Sequence, residues 1–442
     1  MIAHITIRQT DNPDDQVMLP HFLFHQMRKD EPLTISFGNR TVYADAKKGN
    51  QVFEISKPLA SQLLFPLEET SISYQYDEAR NELKLGPIIA LVTSHDKPFG
   101  AMASFIEEMA HYCQKNSVIF YVLPLSLQTG EQTDTFCGYL FSDHRWIKKE
   151  MPFPDVAYNR IASRKSEKSE LSTRVFARLK QHHIPVFNER FLNKWEVYNA
   201  CMQDPVLAPH LPATILYRKA SDLDTMLQQH STIFAKPIHG SLGQKIVKIT
   251  HHNGKFRLQF SNAATSQMKE YTLLGLLRTV IPIIKKEPYI LQQGIPALTY
   301  HSRHTDFRVL CNKDGTGKWK MTSLVARCSS FGQIVSNLAM GGTLHHPKQI
   351  LESRFSEHEI KTHLTFCQEL ALHSAYTIER HFHGIYGELG VDLVIDECGK
   401  PWIIEVNTKP SKTNERNAFN ATRPSTKALV QYAKFLANFH ET

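Results

Sequence analysis

The chain has 442 residues, 42% of them hydrophobic and 21% charged, with a formal net charge of +8. The length suggests about three domains at roughly 150 residues each, and the composition excludes a disordered or fibrous protein. The positive excess is modest and spread along the chain, which argues against nucleic-acid binding and suits an anionic ligand such as phosphate.

No stretch approaches the roughly 18 apolar residues of a membrane span. The start, Met1 to Arg8, lacks the basic and apolar segments of a signal peptide, so a cytoplasmic protein is expected. Seven cysteines, irregularly spaced and without C-x-x-C, fit reduced thiols better than a disulfide framework.

From Met1 to about Leu85, short alternating segments such as Leu33 to Phe37 and Ser71 to Tyr76 are broken by Gly38-Asn39 and Lys48-Gly49-Asn50. They predict a β-rich N-terminal domain over 1–85. It has no cluster of acids, histidines or cysteines at catalytic spacing, so a structural or partner-binding role is expected. At Gly86-Pro87 the character changes. Ile88 to Val92 reads as a buried strand, followed by an amphipathic helix with Met102, Phe105, Ile106, Met109 and Cys113 on one side. Strand-like Val118 to Leu123 and Asp155 to Tyr158, a helix bearing Val175, Phe176 and Leu179, and the short strand Pro185 to Phe187 follow. This alternation predicts a small parallel α/β domain over 86–200. The charged run Arg164 to Glu170 reads as a solvated loop at a place where a lid could sit.

In the remainder, 201–442, Thr232 to Pro237 is a short strand containing Lys236, followed by the turn His239-Gly-Ser-Leu-Gly-Gln-Lys245 and a second strand from Ile246. Such a loop exposes successive backbone N–H groups to phosphate oxygens while the lysine neutralises them. Neither G-x-x-x-x-G-K-[ST] nor G-x-G-x-x-G occurs, which argues against a P-loop or a Rossmann site. Gly315-Thr-Gly-Lys318 is expected to be a hairpin turn. His358 and His363 imitate a zincin pair, but they are five apart and a helix needs four to put both on one face. In a chain with 23 histidines, His345-His346 and His381-Phe-His383 read as solvated or packed groups.

The stretch from Gly384 to Lys412 carries the densest chemistry. Val391 to Ile395 and Trp402 to Val406 flank the turn signal Asp396-Glu-Cys-Gly399 and predict a β-hairpin. With Cys398 and Gly399 as the two turn residues, Asp392 faces Glu405, and Asn407 follows on the same face. Two such carboxylates repel by roughly 4 kcal/mol at an effective dielectric near 20. A shared proton, a nearby Lys or Arg, or a hard divalent cation must neutralise them. The added amide oxygen of Asn407 makes the all-oxygen set that Mg²⁺ takes beside substrate phosphates, and the metal is the expectation.

Phe234-Ala-Lys-Pro237, Gly240-Ser-Leu-Gly243, Tyr289-Ile-Leu-Gln-Gln293, Asp306-Phe-Arg308, Ser336-Asn-Leu-Ala-Met-Gly-Gly342 and Glu405-Val-Asn-Thr-Lys-Pro410 together resemble the YheC/YheD family of RimK-like ATP-grasp proteins, over nearly the whole chain. The resemblance implies an α+β ATP-grasp fold over 201–442, preceded by the α/β and β-rich domains. It implies ATP as cofactor with one or two Mg²⁺ ions, or Mn²⁺ in their place. In its terms Lys236, and less distinctly Lys194, meet the nucleotide, and Gly240, Ser241 and Gly243 form the loop over its phosphates. Lys194 reads equally as a surface lysine. Gln292, Gln293 and Ile295 would hold adenine, Asp306 would lie near ribose, and Asn337 would add a cofactor contact. Arg308 and Arg327 would be the catalytic cations, and Asp392, Glu405 and Asn407 the metal ligands. Many ATP-grasp enzymes place an acid in the hinge pair where this chain has Gln292-Gln293; backbone recognition of adenine is compatible with either.

The chemistry so implied is ADP-forming carboxylate–amine ligation, with ATP and a small-molecule or peptide carboxylate and amine as partners. The family occurs in spore-forming bacilli and is described as endospore coat-associated, which implies that setting and spore coat proteins as partners. An ATP-binding coat scaffold without turnover is the alternative.

Overall fold

The computed structural model describes residues 3–11, 15–28, 31–94, 100–128, 134–240, 243–261, 269–412 and 421–440. Seven strands at the start close into a barrel in the order Ala3–Thr10, Phe53–Ser56, Gln16–Leu19, Arg40–Lys48, Leu33–Phe37, Glu82–Gly86, Glu69–Asp77. Closure comes from the first strand, which pairs parallel with Phe53–Ser56 and antiparallel with Glu69–Asp77.

The next sheet has six strands in the order Arg145–Met151, Phe136–Ser142, Ile119–Pro124, Ile88–Thr93, Val156–Asn159, Val186–Phe187. Its last four are parallel, as the alternation predicts, but the hairpin Phe136–Ser142/Arg145–Met151 adds an antiparallel edge. One face (Ile88, Ala90, Val92) shares a core with the barrel and with Leu179 of the helix Glu170–Gln181. The other face (Ile89, Leu91, Val122) is covered by the helices Ala103–Lys115 and Pro424–Leu436. That face of the parallel sheet therefore lies against the last helix of the chain.

Two antiparallel sheets complete the fold. One runs Thr214–Leu216, Tyr289–Gln293, Thr232–Pro237, Val247–His252, Lys255–Phe260, Glu270–Tyr271, with the helices Ala220–Gln229 and Leu273–Ile284 packed on it. The other runs Thr343–His345, Trp319–Cys328, Arg303–Lys313, Glu388–Ile395, Pro401–Asn407 and shares its core with the helices Lys194–Met202 and Glu357–His381. A division at residue 200 does not coincide with these cores, because Val197 and Cys201 pack into the last sheet while Leu429 and Ala433 return to the parallel one. No helix among the described residues is long and apolar enough to cross a membrane.

The final hairpin meets the expected pairing by a different route. Its tip is a three-residue loop, Glu397-Cys398-Gly399, closed by Asp396 N–H to Lys400 O at 3.0 Å, with Gly399 at φ +86°. A two-residue turn would pair Leu393 with Ile404; instead Leu393 pairs with Ile403, and an irregularity between Asp392 and Leu393 restores Asp392 opposite Glu405. The left-handed residue that ends a three-residue loop favours glycine. Gly315-Thr-Gly-Lys318 is the expected hairpin turn, and His363 packs against Gly399 and the Phe355 ring.

Candidate active site

Four adjacent strands of the last sheet direct their polar residues to one face. Register sets Asp306 opposite Arg327, Arg308 opposite Asp392, and Asp392 opposite Glu405. Side chains alternate along a strand, so Asp306 with Arg308, and Glu405 with Asn407, share that face while Phe307, Val309, Val391, Leu393 and Val406 enter the core beneath.

Asp392 is held by both arginines. Arg308 donates to it from Nε and Nη2 at 2.5 and 2.8 Å, Arg327 donates from Nη2 at 2.8 Å, and Asn407 Nδ2 lies at 3.3 Å. Arg327 Nε also donates to Asp306 at 2.5 Å, and the Ser336 hydroxyl donates to the other Asp306 oxygen. Burial pushes the Asp392 carboxyl up, but the two guanidinium charges outweigh it and hold the group below the ordinary aspartate range. Burial likewise opposes the charge on Arg327, and Asp306 and Asp392 more than restore it.

Lys194 and Lys236 approach from neighbouring elements. The capping box formed by Asn193 and Glu196 fixes the first turn of the helix Lys194–Met202. From that turn Lys194 Nζ donates to Glu405 Oε1 at 3.1 Å and to the Gly240 carbonyl at 2.7 Å, so it is no free surface lysine. Lys236 Nζ donates to Gln292 Oε1 at 2.6 Å, and Gln292 Nε2 donates to Thr214 Oγ1 at 3.2 Å. Its hydrogen-bond partner is a neutral amide, and desolvation lowers Lys236 to about 8 against the weaker pull of Glu405. Four cations, Lys194, Lys236, Arg308 and Arg327, thus face three carboxylates, Asp306, Asp392 and Glu405. That arrangement favours a polyanion.

The other expected residues lie around this cluster. A Cβ on Gly240 would sit 2.5 Å from Pro237 Cγ, and Gly243, at φ +72°, packs beside Val335; Ser241 lies outside the described residues. The Asn337 carbonyl accepts from the N–H groups of Met340 and Gly342, closing the turn beside Ser336. Gln293 is directed elsewhere: its Oε1 accepts from the Ala213 N–H at 3.1 Å and its own N–H donates to Ala213 O at 2.8 Å. Ile295 lies past the strand end, its carbonyl accepting from Ala297 N–H at 2.8 Å.

Basic side chains neutralise the carboxylate pair in this structure. Among the described residues no group of three His, Cys, Asp or Glu side chains could hold a metal. The oxygens of Asp392, Glu405 and Asn407 suit Mg²⁺ or Mn²⁺ in kind, and both Asp392 oxygens accept here from the arginines.

The run Arg164 to Glu170, expected as a solvated loop, instead forms the short helix Arg164–Glu167 and the start of Glu170–Gln181. Glu167 turns inward to accept from Lys409, from Asn159 Nδ2 at 3.3 Å and from Phe191 N–H at 2.9 Å. Buried Glu388, paired with Lys412, was also absent from the residues singled out. Alternation could have found it, since Glu388, Gly390 and Asp392 occupy one strand face. A Cβ on Gly390 would meet Pro410 Cβ at 2.9 Å and Arg308 Nη1 at 3.3 Å. Gly390→Ala is therefore expected to lower stability by about 1–3 kcal/mol and to displace Arg308, as urea unfolding and a nucleotide titration would show. Unchanged stability and affinity would refute this close approach.

Residues 183–436, more than half of the chain, match the family model YheC/D like ATP-grasp. The endospore coat-associated protein YheD of Bacillus subtilis (strain 168) is 26% identical over 429 residues, covering 94% of this chain and 93% of that protein. YheC of the same organism, likewise described as endospore coat-associated, is 22% identical over 287 residues, covering 62% of this chain and 75% of that protein. Among solved structures, the VanG D-Ala:D-Ser ligase from Enterococcus faecalis aligns with a TM-score of 0.46 at 13% identity, covering 80% of this chain and 99% of that one.

Proposed function

The chain belongs to the YheC/D-like ATP-grasp family, and on that premise we propose that it is an ATP-dependent carboxylate–amine ligase working through an acylphosphate. The observation that carries this reading is the cationic set Lys194, Lys236, Arg308 and Arg327 gathered over Asp392 and Glu405. Phosphoryl transfer needs positioning and charge neutralisation more than a protein nucleophile, and this face supplies both.

Lys236 and Lys194 bind nucleotide phosphates, Lys194 from beside the Gly240 carbonyl. Arg308 and Arg327 release Asp392 to hold the substrate carboxylate against the γ-phosphate. The carboxylate oxygen bonds to γ-phosphorus as the bridging P–O bond breaks and ADP leaves with the electron pair. An amine then attacks the acyl carbon, phosphate departs, and the amine proton passes to solvent. The arginines favour the transition state by charge-assisted hydrogen bonds to the developing oxyanions. Asp392, Glu405 and Asn407 would hold Mg²⁺, which supplies further charge neutralisation to the phosphates.

The relatives described as endospore coat-associated support a role in forming the spore coat, with coat components or their precursors supplying the carboxylate or amine. Thermal melts test the nucleotide site. MgATP at about 100 times its dissociation constant should add roughly 2.7 kcal/mol, more than ATP or Mg²⁺ alone. ADP release in the presence of amino acids, cell-wall precursors and coat peptides then tests turnover. A melt unmoved by MgATP removes the nucleotide assignment; binding without ADP release against the full panel favours a nucleotide-binding coat scaffold.

A further inference from the structure

Between the barrel strands Gln16–Leu19 and Leu33–Phe37 lies one helical turn, His21–Phe24, with Pro20 before it and His25 after it. The His25 N–H donates to the His21 carbonyl at 3.2 Å, so the two histidines stand one turn apart and leave the same face. Leu23 enters the barrel core, whereas both imidazoles are exposed. Their ring centroids are 4.2 Å apart, and His25 Nε2 lies 3.1 Å from His21 Nε2. His358 and His363 miss this i, i+4 spacing by one residue; His21 and His25 meet it.

In the empty pair one ring donates its Nε2 proton to the other. A metal ion can take the place of that proton without moving the rings far. At metal–nitrogen bonds of about 2.0–2.1 Å, nitrogens 3.1 Å apart subtend about 100° at the ion. That angle lies between the ~90° of a square or octahedral site and the ~109° of a tetrahedral one. The charge of Lys48, then burial and His25, lowers His21. A lower value favours the unprotonated ring that a metal takes, while the same ammonium opposes the ion.

We propose that His21 and His25 chelate a divalent transition-metal ion, Zn²⁺, Ni²⁺ or Cu²⁺, through their Nε2 atoms, with water in the remaining positions. The site belongs to the barrel and does not depend on the ligase reading or on Mg²⁺ at Asp392. Imidazole suits these ions, whereas carboxylate and water oxygens suit Mg²⁺. On binding, the donor ring moves its proton from Nε2 to Nδ1 through solvent, so a neutral pair takes the ion with no net proton release. No further His, Cys, Asp or Glu joins them into a group of three among the described residues, and the affinity should be that of a two-ligand chelate. The ion also ties together a turn that Pro20 leaves without a side-chain cap.

Titration calorimetry on the full chain, without an affinity tag and freed of metal by a chelator, tests the site. Zn²⁺ and Ni²⁺ should each bind, and Cu²⁺ more tightly than either. The chain has 23 histidines, so variants identify which of them hold the ion. His21→Gln and His25→Gln should each weaken the strongest site by on the order of a hundredfold, the scale for losing one of two linked contacts. Both rings are exposed, and without metal either variant should melt with wild type. His358→Gln, which removes an exposed histidine elsewhere, should leave the affinity unchanged. A second measurement uses wild type alone: Zn²⁺ should protect His21 and His25 from diethylpyrocarbonate, as peptide mass spectrometry would read, and Mg²⁺ should not. Unaltered affinity in either folded variant, or equal modification of both histidines with and without Zn²⁺, overturns the proposal. A loss of the same size in His358→Gln would mark adventitious ions only and overturns it too.

Discussion

Lys236→Met is expected to weaken MgATP binding by roughly a hundredfold, the scale of one or two charge-assisted phosphate contacts, while the ligand-free protein melts at an equal or higher temperature. Lys236 is half-buried, faces the neutral Gln292 amide, and is lowered by desolvation to about 8. A cation held there without nucleotide is a cost to the fold, and methionine removes it. The loss of a donor to Gln292 offsets part of that gain.

The pH dependence follows the same linkage. Below about 8 the lysine is protonated in both folded and unfolded protein, and the burial cost is fully present. Between about 8 and the ordinary value of 10.5 the folded form loses its proton first, so wild-type stability gains from this group as pH rises. Lys236→Met should lack that gain. Phosphate returns the proton, so MgATP binding near the folded value should take up on the order of half a proton. Calorimetry in buffers of differing ionisation enthalpy reads this directly. Absence of uptake, or a marked fall in the ligand-free melting temperature of Lys236→Met, would contradict the assigned role.

Arg327→Met should destabilise the ligand-free protein by about 3–5 kcal/mol, the range found when one partner of a buried ion pair is removed. Arg327 is buried and bonds both Asp306 and Asp392. Without it Asp306 keeps the Ser336 hydroxyl and Asp392 keeps Arg308. The double substitution Arg327→Met with Asp306→Asn should recover part of the loss by removing the stranded charge. Urea unfolding near neutral pH measures both. In acid the sign is also set: Asp392 is depressed, so its stabilisation is present above the unfolded carboxylate range and disappears as pH falls through the lower folded value. Removing one guanidinium raises that folded value and moves the acid loss to higher pH. A variant as stable as wild type at neutral pH would show that the ion-pair network contributes little.

Short-range patterns made much of this protein legible. Alternation identified the parallel strands and the strand holding Lys236, and the turn signal at Asp396 to Gly399 identified the final hairpin, because period and turn chemistry are local properties. The pairing of Asp392 with Glu405 was also legible, although its register depends on a three-residue loop and an irregularity that compensate each other. Barrel closure, the edge hairpin Phe136–Met151 and the return of Pro424–Leu436 to the parallel sheet depend on contacts between distant segments.

The same division applies to the site. Sequence by itself determined which charged and amide side chains project from the Arg303–Lys313, Glu388–Ile395 and Pro401–Asn407 strands, because each strand alternates about its own axis. Tertiary structure decided how those charges are satisfied. Strand pairing placed Arg308 and Arg327 on Asp392, and helix packing placed Lys194 on Glu405. Packing the parallel sheet against the last one buried Arg160 beside Glu388. Coulomb interactions and desolvation depend on distance and burial in three dimensions, and neither is encoded in the spacing of residues along the chain.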